Sequence, residues 1–433
     1  MYPPQLQLKL VQVFFRHGER TPHDNRVQNA SSKLATLGRE WAFNRSAKAP
    51  KTLFEGTASK FVPIDDEIDK PLLPSGRKDI CCAYGELTDN GRATTTDLGR
   101  ELRKLYVEQL GFMPPMLNDV RMIYLRSTQY QRTFVSLQHV FQGLYPPEVA
   151  KRSLQDMFVF VEDPKHESLL PPEDYSERFA VLLRQFSRRA AIKWNNSPEM
   201  KQINAKWGPW MPESVPIGVD SQPVKLHDIH DTISAVAATS EPEHFLPREL
   251  LDPGLRSIME KICAEEEFAG YAHNKEFRSL GVGRMLQEAL QRMYGAKRQA
   301  LQTTRQIPSG PRMFLSACHD SAIAGVLASL GAMNDPDWHW PPYAAHIWIE
   351  LFCKVEGHAM LGKMHTAEPQ SWYVRLKYQG KPVVLPCGAG KGNHLPGHQD
   401  ICTLDAFKRA IEEFAPADWH ALDPSGSQLS KKL

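Results

Sequence analysis

The chain has 433 residues, with 52 Lys and Arg against 50 Asp and Glu, a net charge of +2, and 42% hydrophobic residues. That is enough for one large domain with an insertion or for two domains, and nothing in it resembles the dense basic stripe of a nucleic-acid binder. No apolar run is long enough to form a transmembrane segment, and the start, MYPPQLQLKL, lacks the basic region and pure apolar stretch of a signal peptide.

Residues 6–15 read as a strand rich in Leu, Val and Phe. Its near-continuous apolarity predicts burial on both faces, as in a parallel sheet covered by helices. Residues 22–84 carry scattered Pro, Gly, Ser, Lys and Asp with little period. They predict a long excursion with one short helix at 31–44. A helix then starts at about residue 89, with Leu98, Leu102, Leu105 and Leu110 inward and Gly111 as its stop. A second buried strand is predicted at 120–128, and Ser127 or Thr128 is placed to cap the helix that follows. From 148 to 305 the chain is polar, helical and Pro-punctuated, with one short strand at DMFVFVED. Strand character returns at 312–320, followed at once by the helix SAIAGVLASLG. Next come a strand at AHIWIELF and a hairpin turning on Gln379-Gly380. A last amphipathic helix over 403–414 is capped by Thr403. The expected fold is therefore α/β. A mixed, mainly parallel sheet is sandwiched by helices as a core of 1–147 and 306–433, with 148–305 inserted as a mainly helical cap.

Seven cysteines occur, none in a metal-like CxxC pair. Cys387 and Cys402 enclose a Gly/His/Pro-rich loop with little core of its own, which a disulfide would suit. Sequons at Asn29, Asn44 and Asn195 lean slightly toward a secreted protein.

Three of the buried strands end in charged residues: Arg16-His17 with Arg20, then Arg126, then His319-Asp320. In open α/β sheets ligands bind beyond the carboxyl ends of the strands. Three converging guanidiniums call for an anion with several oxygens, and phosphate matches their forked geometry. A neutral imidazole is a good nucleophile toward phosphorus, and the arginine field would keep His17 neutral in mild acid. Asp320 is a candidate general acid for the leaving alcohol. Each pair alone reads better as a solvated strand end or a helix cap; it is their recurrence at strand ends that favours a site.

RHGERTP resembles the RHGxRxP signature of the histidine acid phosphatases, a branch of the histidine phosphatase superfamily. GELTDNG, LRSTQYQRT, CHDSAIAGVLASLG, WPPYA and CTLDAF are similar to further segments of that family, in the same order. The likeness covers about 1–145 and 305–415, and looks nearest to the lysophosphatidic acid phosphatase type. It implies that His17 accepts the phosphoryl group, that Arg16, Arg20, Arg126 and His319 bind phosphate, and that Asp320 protonates the leaving oxygen. It also implies a small-molecule phosphomonoester substrate, with no metal or other cofactor. A phytase on the same fold, a noncatalytic phospholigand-binding protein and a phosphoglycerate-type mutase are the alternatives. His227, Asp228, His230 and Asp231 read as a solvated helix start first, a pocket lining second and a metal site last. The basic stretch 184–194 reads as a solvated face. The aromatic clusters at 207–212 and 337–343 read as core, the first also as a possible wall for an acyl or aromatic group.

Overall fold

The computed structural model describes residues 2–23, 82, 84–146, 149, 157–211, 216–220, 224–302, 310–354 and 371–415. The expected helix at 31–44, the sequons at Asn29 and Asn44, and Cys81 lie outside them. Strand β1 (Leu6–Arg16) shows how the sheet divides the core. Side chains alternate across a strand. Leu10 and Phe14 enter one apolar cluster, while Val11, Val13 and Phe15 enter another.

The other strands are β2 (Ile123–Ser127), β3 (Val159–Phe160), β4 (Met313–Cys318), β5 (His346–Lys354), β6 (Trp372–Tyr378), β7 (Lys381–Val383), β8 (His394–Leu395) and β9 (His398–Thr403). They join in the order β3-β2-β4-β1-β5-β6-β9-β8, with β7 on β6. The sheet is mixed, as expected, but not mainly parallel. Three pairings, within β3-β2-β4-β1, are parallel, and the remaining five are antiparallel. Antiparallel neighbours need only tight connections. The β6–β7 hairpin turns on Gln379 and Gly380, both at positive φ, as a two-residue turn requires.

Helices α1 (Asp89–Leu102) and α2 (Gln131–Leu144) cover one face of the sheet. Leu98 and Leu102 are buried there, while Leu105 and Leu110, in and after a π-helical extension, are half-buried; Gly111 follows at φ 56°. The cap of α2 differs from expectation. Tyr130 occupies the cap position without a side-chain bond, while the Ser127 hydroxyl donates to the Thr128 carbonyl and the Thr128 hydroxyl is engaged with Thr133 and His319.

The segment expected to form a cap contains α3 (Glu177–Trp194), α4 (Pro198–Trp207), α5 (Leu226–Ala237), α6 (Pro253–His273) and α7 (Arg284–Gln302). Its apolar residues divide. Leu182, Phe186, Phe268 and Met285 share a cluster with the sheet, α8 (Asp320–Ser329) and α9 (Leu404–Glu412). Met200, Trp207, Ile229 and Met259 build a separate cluster. Trp207 is core, its indole donating to the Glu249 carbonyl at 2.8 Å. Arg184, Arg188 and Arg189 face solvent. Thr403 caps α9, accepting from the Ala406 N–H. The sequon residue Asn195 uses its amide on both backbone groups of Val219.

The expected disulfide is absent: Cys387 and Cys402 are free thiols, and the Cys402 thiol donates to the Val374 carbonyl at 3.5 Å. The loop between them is tied without it, since His394 Nδ1 bonds the Gly388 carbonyl and Thr403 N–H the Asn393 carbonyl.

Where α1 crosses α2, Gly99 and Gly143 let the backbones touch; a Cβ at Gly143 would overlap the Thr96 carbonyl, and one at Gly99 the Val140 carbonyl. Gly143→Ala is expected to force the helices apart and cost roughly 1–3 kcal/mol, read from urea unfolding. An unchanged midpoint would show that the crossing tolerates a wider spacing.

Candidate active site

The parallel strands end level with one another. Arg16 on β1 pairs with Cys318 on β4, and Ala317 with Ser127 on β2. Backbone bonds from His17 to Cys318 and from Thr128 to Ala317 carry the pairing one step further. His17 and His319 thus meet with ring centroids 5.6 Å apart. They lie in a cavity of about 520 Å³ that also takes side chains from α2, α5, α6 and the 340–343 loop.

The RHG turn is fixed by other quoted segments. The Gly18 N–H donates to the Ser136 hydroxyl at 3.1 Å. Thr88 donates to the Glu19 carbonyl from both its N–H and its hydroxyl. A Cβ on Gly18 would overlap the Gly91 backbone, and one on Gly91 the Glu19 carbonyl, so GELTDNG and RHG need glycine where they touch. Ala344 sits at φ 54°, unusual for a residue with a Cβ, and its N–H holds the His17 carbonyl at 3.0 Å.

His17 is buried, and its Nδ1 lies 2.8 Å from the Gly18 carbonyl. A carbonyl only accepts, so Nδ1 carries the proton and Nε2 keeps its lone pair. Burial, then Arg132, Arg16, Arg20 and His319, push the imidazole well below its ordinary pKa. His319 Nε2 bonds the Thr128 hydroxyl at 3.0 Å, and burial followed by Arg132 depresses it too. Arg16 pairs with Asp320 at 2.7 Å and stacks over Tyr343. Burial pushes the Asp320 carboxyl up, but Arg16, His319, Arg20 and the Trp340 N–H outweigh it, holding Asp320 well below the usual carboxylate range.

Arg126 does not join this group. It pairs with Ser316, which lies beside Phe14, so it sits two residues short of the level of Arg16. Its guanidinium is held inside the fold by Glu167 at 2.8 Å and Glu288 at 2.5 Å, and it does not line the cavity. The third guanidinium of the pocket is Arg132, from the first turn of α2. It lies over the Tyr130 ring and makes no ion pair with a described residue. Burial and then Arg20 lower its pKa to about 10. The sequence signal was available, because QRT opens the helix after a buried strand and helix starts face this end of the sheet.

The 227–231 group also belongs to the pocket, not to a solvated surface. His227, His230 and Asp231 line it, and Asp231 bridges Arg20 at 2.6 Å and the His23 N–H at 2.8 Å. No group of His, Cys, Asp and Glu arranged to hold a metal occurs among the described residues. Of the two aromatic clusters it is the second that reaches the site. Trp340 packs on His230 at 4.4 Å and Phe268 at 4.9 Å while donating to Asp320.

A level set of strand ends, three guanidiniums and a neutral buried imidazole define a site for an oxyanion that offers several oxygens. The comparisons agree. Residues 7–379 match the model of the Histidine phosphatase superfamily (branch 2). "Probable acid phosphatase SPBC4.06" of Schizosaccharomyces pombe is 31% identical over 97% of this chain and 95% of its own. Lysophosphatidic acid phosphatase type 6 of Homo sapiens is 25% identical over 96% of this chain and 86% of its own. The fold is similar to a Bifidobacterium longum multiple inositol polyphosphate phosphatase, with a TM-score of 0.62 at 12% identity, covering 97% of this chain and 95% of that one. It is also similar to a Hafnia alvei phytase, with a TM-score of 0.59 at 13% identity, covering 96% and 99%. The chain belongs to the histidine phosphatase superfamily, branch 2. It is a histidine acid phosphatase, a phosphoric monoester hydrolase.

Arg132→Ala is expected to weaken competitive inhibition by inorganic phosphate by about tenfold or more, as loss of a charged hydrogen-bonding group costs roughly 1.5–3 kcal/mol. Arg126→Ala is expected instead to lower stability by roughly 3–5 kcal/mol, because it leaves the buried Glu167 carboxylate without its ion-pair partner. Inhibition constants and urea midpoints for both variants check the assignment; a phosphate defect confined to Arg126→Ala would reverse it.

Proposed function

We propose that the chain hydrolyses phosphate monoesters without a metal, through a phosphohistidine on His17, and that its substrates are of the lysophosphatidate type. The observation that carries the mechanism is the state of His17: buried, proton fixed on Nδ1, lone pair on Nε2, and kept neutral by its surroundings. Arg16, Arg20, Arg132 and His319 hold the phosphoryl oxygens and take up their growing charge, the part a metal plays elsewhere. Nε2 forms a bond to phosphorus as the ester P–O bond breaks, and the leaving oxygen takes a proton from Asp320. Water then attacks the phosphohistidine, giving its proton to the Asp320 carboxylate. Inorganic phosphate leaves and His17 is restored.

Asp320 must hold a proton for the first half. Arg16 keeps it ionised in the protein alone. A phosphate that takes over Arg16 removes that support and places negative charge beside the carboxyl, which raises its pKa. The substrate thus prepares its own acid. The helices of 148–305 act as the specificity cap, with 1–147 and 306–433 as the phosphatase core. The lysophosphatidate assignment is supported by the relatives of that name, which align along nearly the whole chain.

His17→Ala is expected to abolish chelator-resistant turnover of an aryl phosphate, and acid-labile phosphate is expected on the wild type but not on the variant after rapid quenching. Turnover by the variant at the wild-type rate would sink the mechanism. A depressed histidine pKa keeps the neutral form at lower pH, so the acid limb of kcat/KM is expected below 6.5, the ordinary value. Asp320→Asn is expected to slow alkyl phosphates about a hundredfold or more and nitrophenyl phosphate far less, because only the poorer leaving group needs the proton. Equal losses on both would remove Asp320 as the acid.

A further inference from the structure

The pocket is lined by carboxylates as well as guanidiniums. Among the described residues its guanidiniums are Arg16, Arg20 and Arg132, each acting on His17, and no lysine lines it. Arg16 and Arg20 are already paired with Asp320 and Asp231. The side contributed by the 171–175 loop and α6 carries Glu173, Asp174 and Glu267 instead. Glu173 and Asp174 are open to the cavity and Glu267 is half-buried. Glu173 and Glu267 make no ion pair or side-chain hydrogen bond among the described residues. Both line the same cavity as Asp320, and His227 is the nearest source of positive charge to Glu173.

We infer that Glu173 and Glu267 select the alcohol half of the substrate: the site takes phosphomonoesters whose alcohol bears hydroxyl or ammonium groups and no second anion, and rejects polyphosphorylated or carboxylated esters. This deepens the phosphomonoesterase reading and rests on it. Each further phosphate of a polyphosphate would need its own cation or donors once taken out of water. Here it would meet carboxylates that make no ion pair among the described residues, and like charges repel. Hydroxyl and ammonium groups are donors, and carboxylates accept from them. Crowding is visible in the wall itself. Burial, then Glu173, Glu266 and Asp320, push the Glu267 carboxyl well above its ordinary pKa. When one proton is shared within such a coupled pair, a negative charge still remains on the wall.

The same reasoning speaks against the phytase alternative. The folds of solved phytases are shared here, but the fold alone does not set what a cavity accepts.

The test is a comparison of kcat/KM for ethanolamine phosphate, glycerol 2-phosphate, 3-phosphoglycerate and phytate, at a pH of about 6, above the ordinary carboxylate range. Nitrophenyl phosphate serves as the reference. The wild type is expected to favour the first two over the last two by about tenfold or more. In Glu173→Gln and Glu267→Gln, the ratio of anionic to uncharged substrates is expected to rise, by about tenfold when combined. A wild type that prefers phytate or 3-phosphoglycerate overturns the inference whatever the variants do. A wild-type preference that persists unaltered in the double variant assigns selection elsewhere and overturns the role of these two residues. Loss of all turnover, nitrophenyl phosphate included, overturns the phosphomonoesterase reading itself, whereas robust turnover of that reference with the wrong ranking leaves the reading intact and removes only the selection.

Discussion

Three guanidiniums at one end of a cavity repel one another, and every feature of the site answers that repulsion. Arg16 has Asp320 and Arg20 has Asp231, each within 2.7 Å. Arg132 has no such partner among the described residues and stacks on Tyr130. The cluster is therefore positive next to an imidazole that it keeps neutral, and it is completed by an oxyanion. Imidazole and guanidiniums are one electrostatic unit, because the charges available to an anion are those that keep the histidine unprotonated.

That unit exists only because strands, turns and glycines deliver its parts to one level. Arg16 is the last residue of β1, and His319 follows β4 by one residue. The contact of Gly18 with Gly91 brings α1 against the RHG turn, and Ser136 from α2 holds it from the other side. Asp231 reaches from α5 to Arg20, so the helical segment contributes a counter-ion and not only a wall. Away from the site, Glu350 on β5 is buried among Arg375, Lys377 and the hydroxyls of Tyr2 and Tyr106. Buried charge is tolerated there because each charge finds its partner within the fold. Arg126 obeys the same rule with Glu167 and Glu288, and that is why it is unavailable to a ligand.

Much of the architecture was legible in the chain. Continuous apolar runs marked β1, β2, β4 and β5, and the Gln379-Gly380 turn and the Thr403 cap followed from local backbone chemistry. These depend on neighbours within a few residues. The antiparallel half of the sheet was not legible, because strand direction depends on how distant segments pair. Nor was the free state of Cys387 and Cys402, whose loop is held by hydrogen bonds from His394 and Thr403.

The sequence alone determined which chemistry is present: a histidine between arginines after one buried strand, and a His-Asp pair after another. Only the tertiary structure decided which arginine completes the set. Arg126 and Arg132 are six residues apart in one motif and look interchangeable in a string of letters. Strand register leaves the first below the rim among carboxylates, and the start of α2 lifts the second into the cavity. The same holds for Asp231, Glu173 and Glu267, which lie on separate elements of the helical segment. That they line one cavity depends on how distant segments pack, and spacing along the chain carries no trace of it.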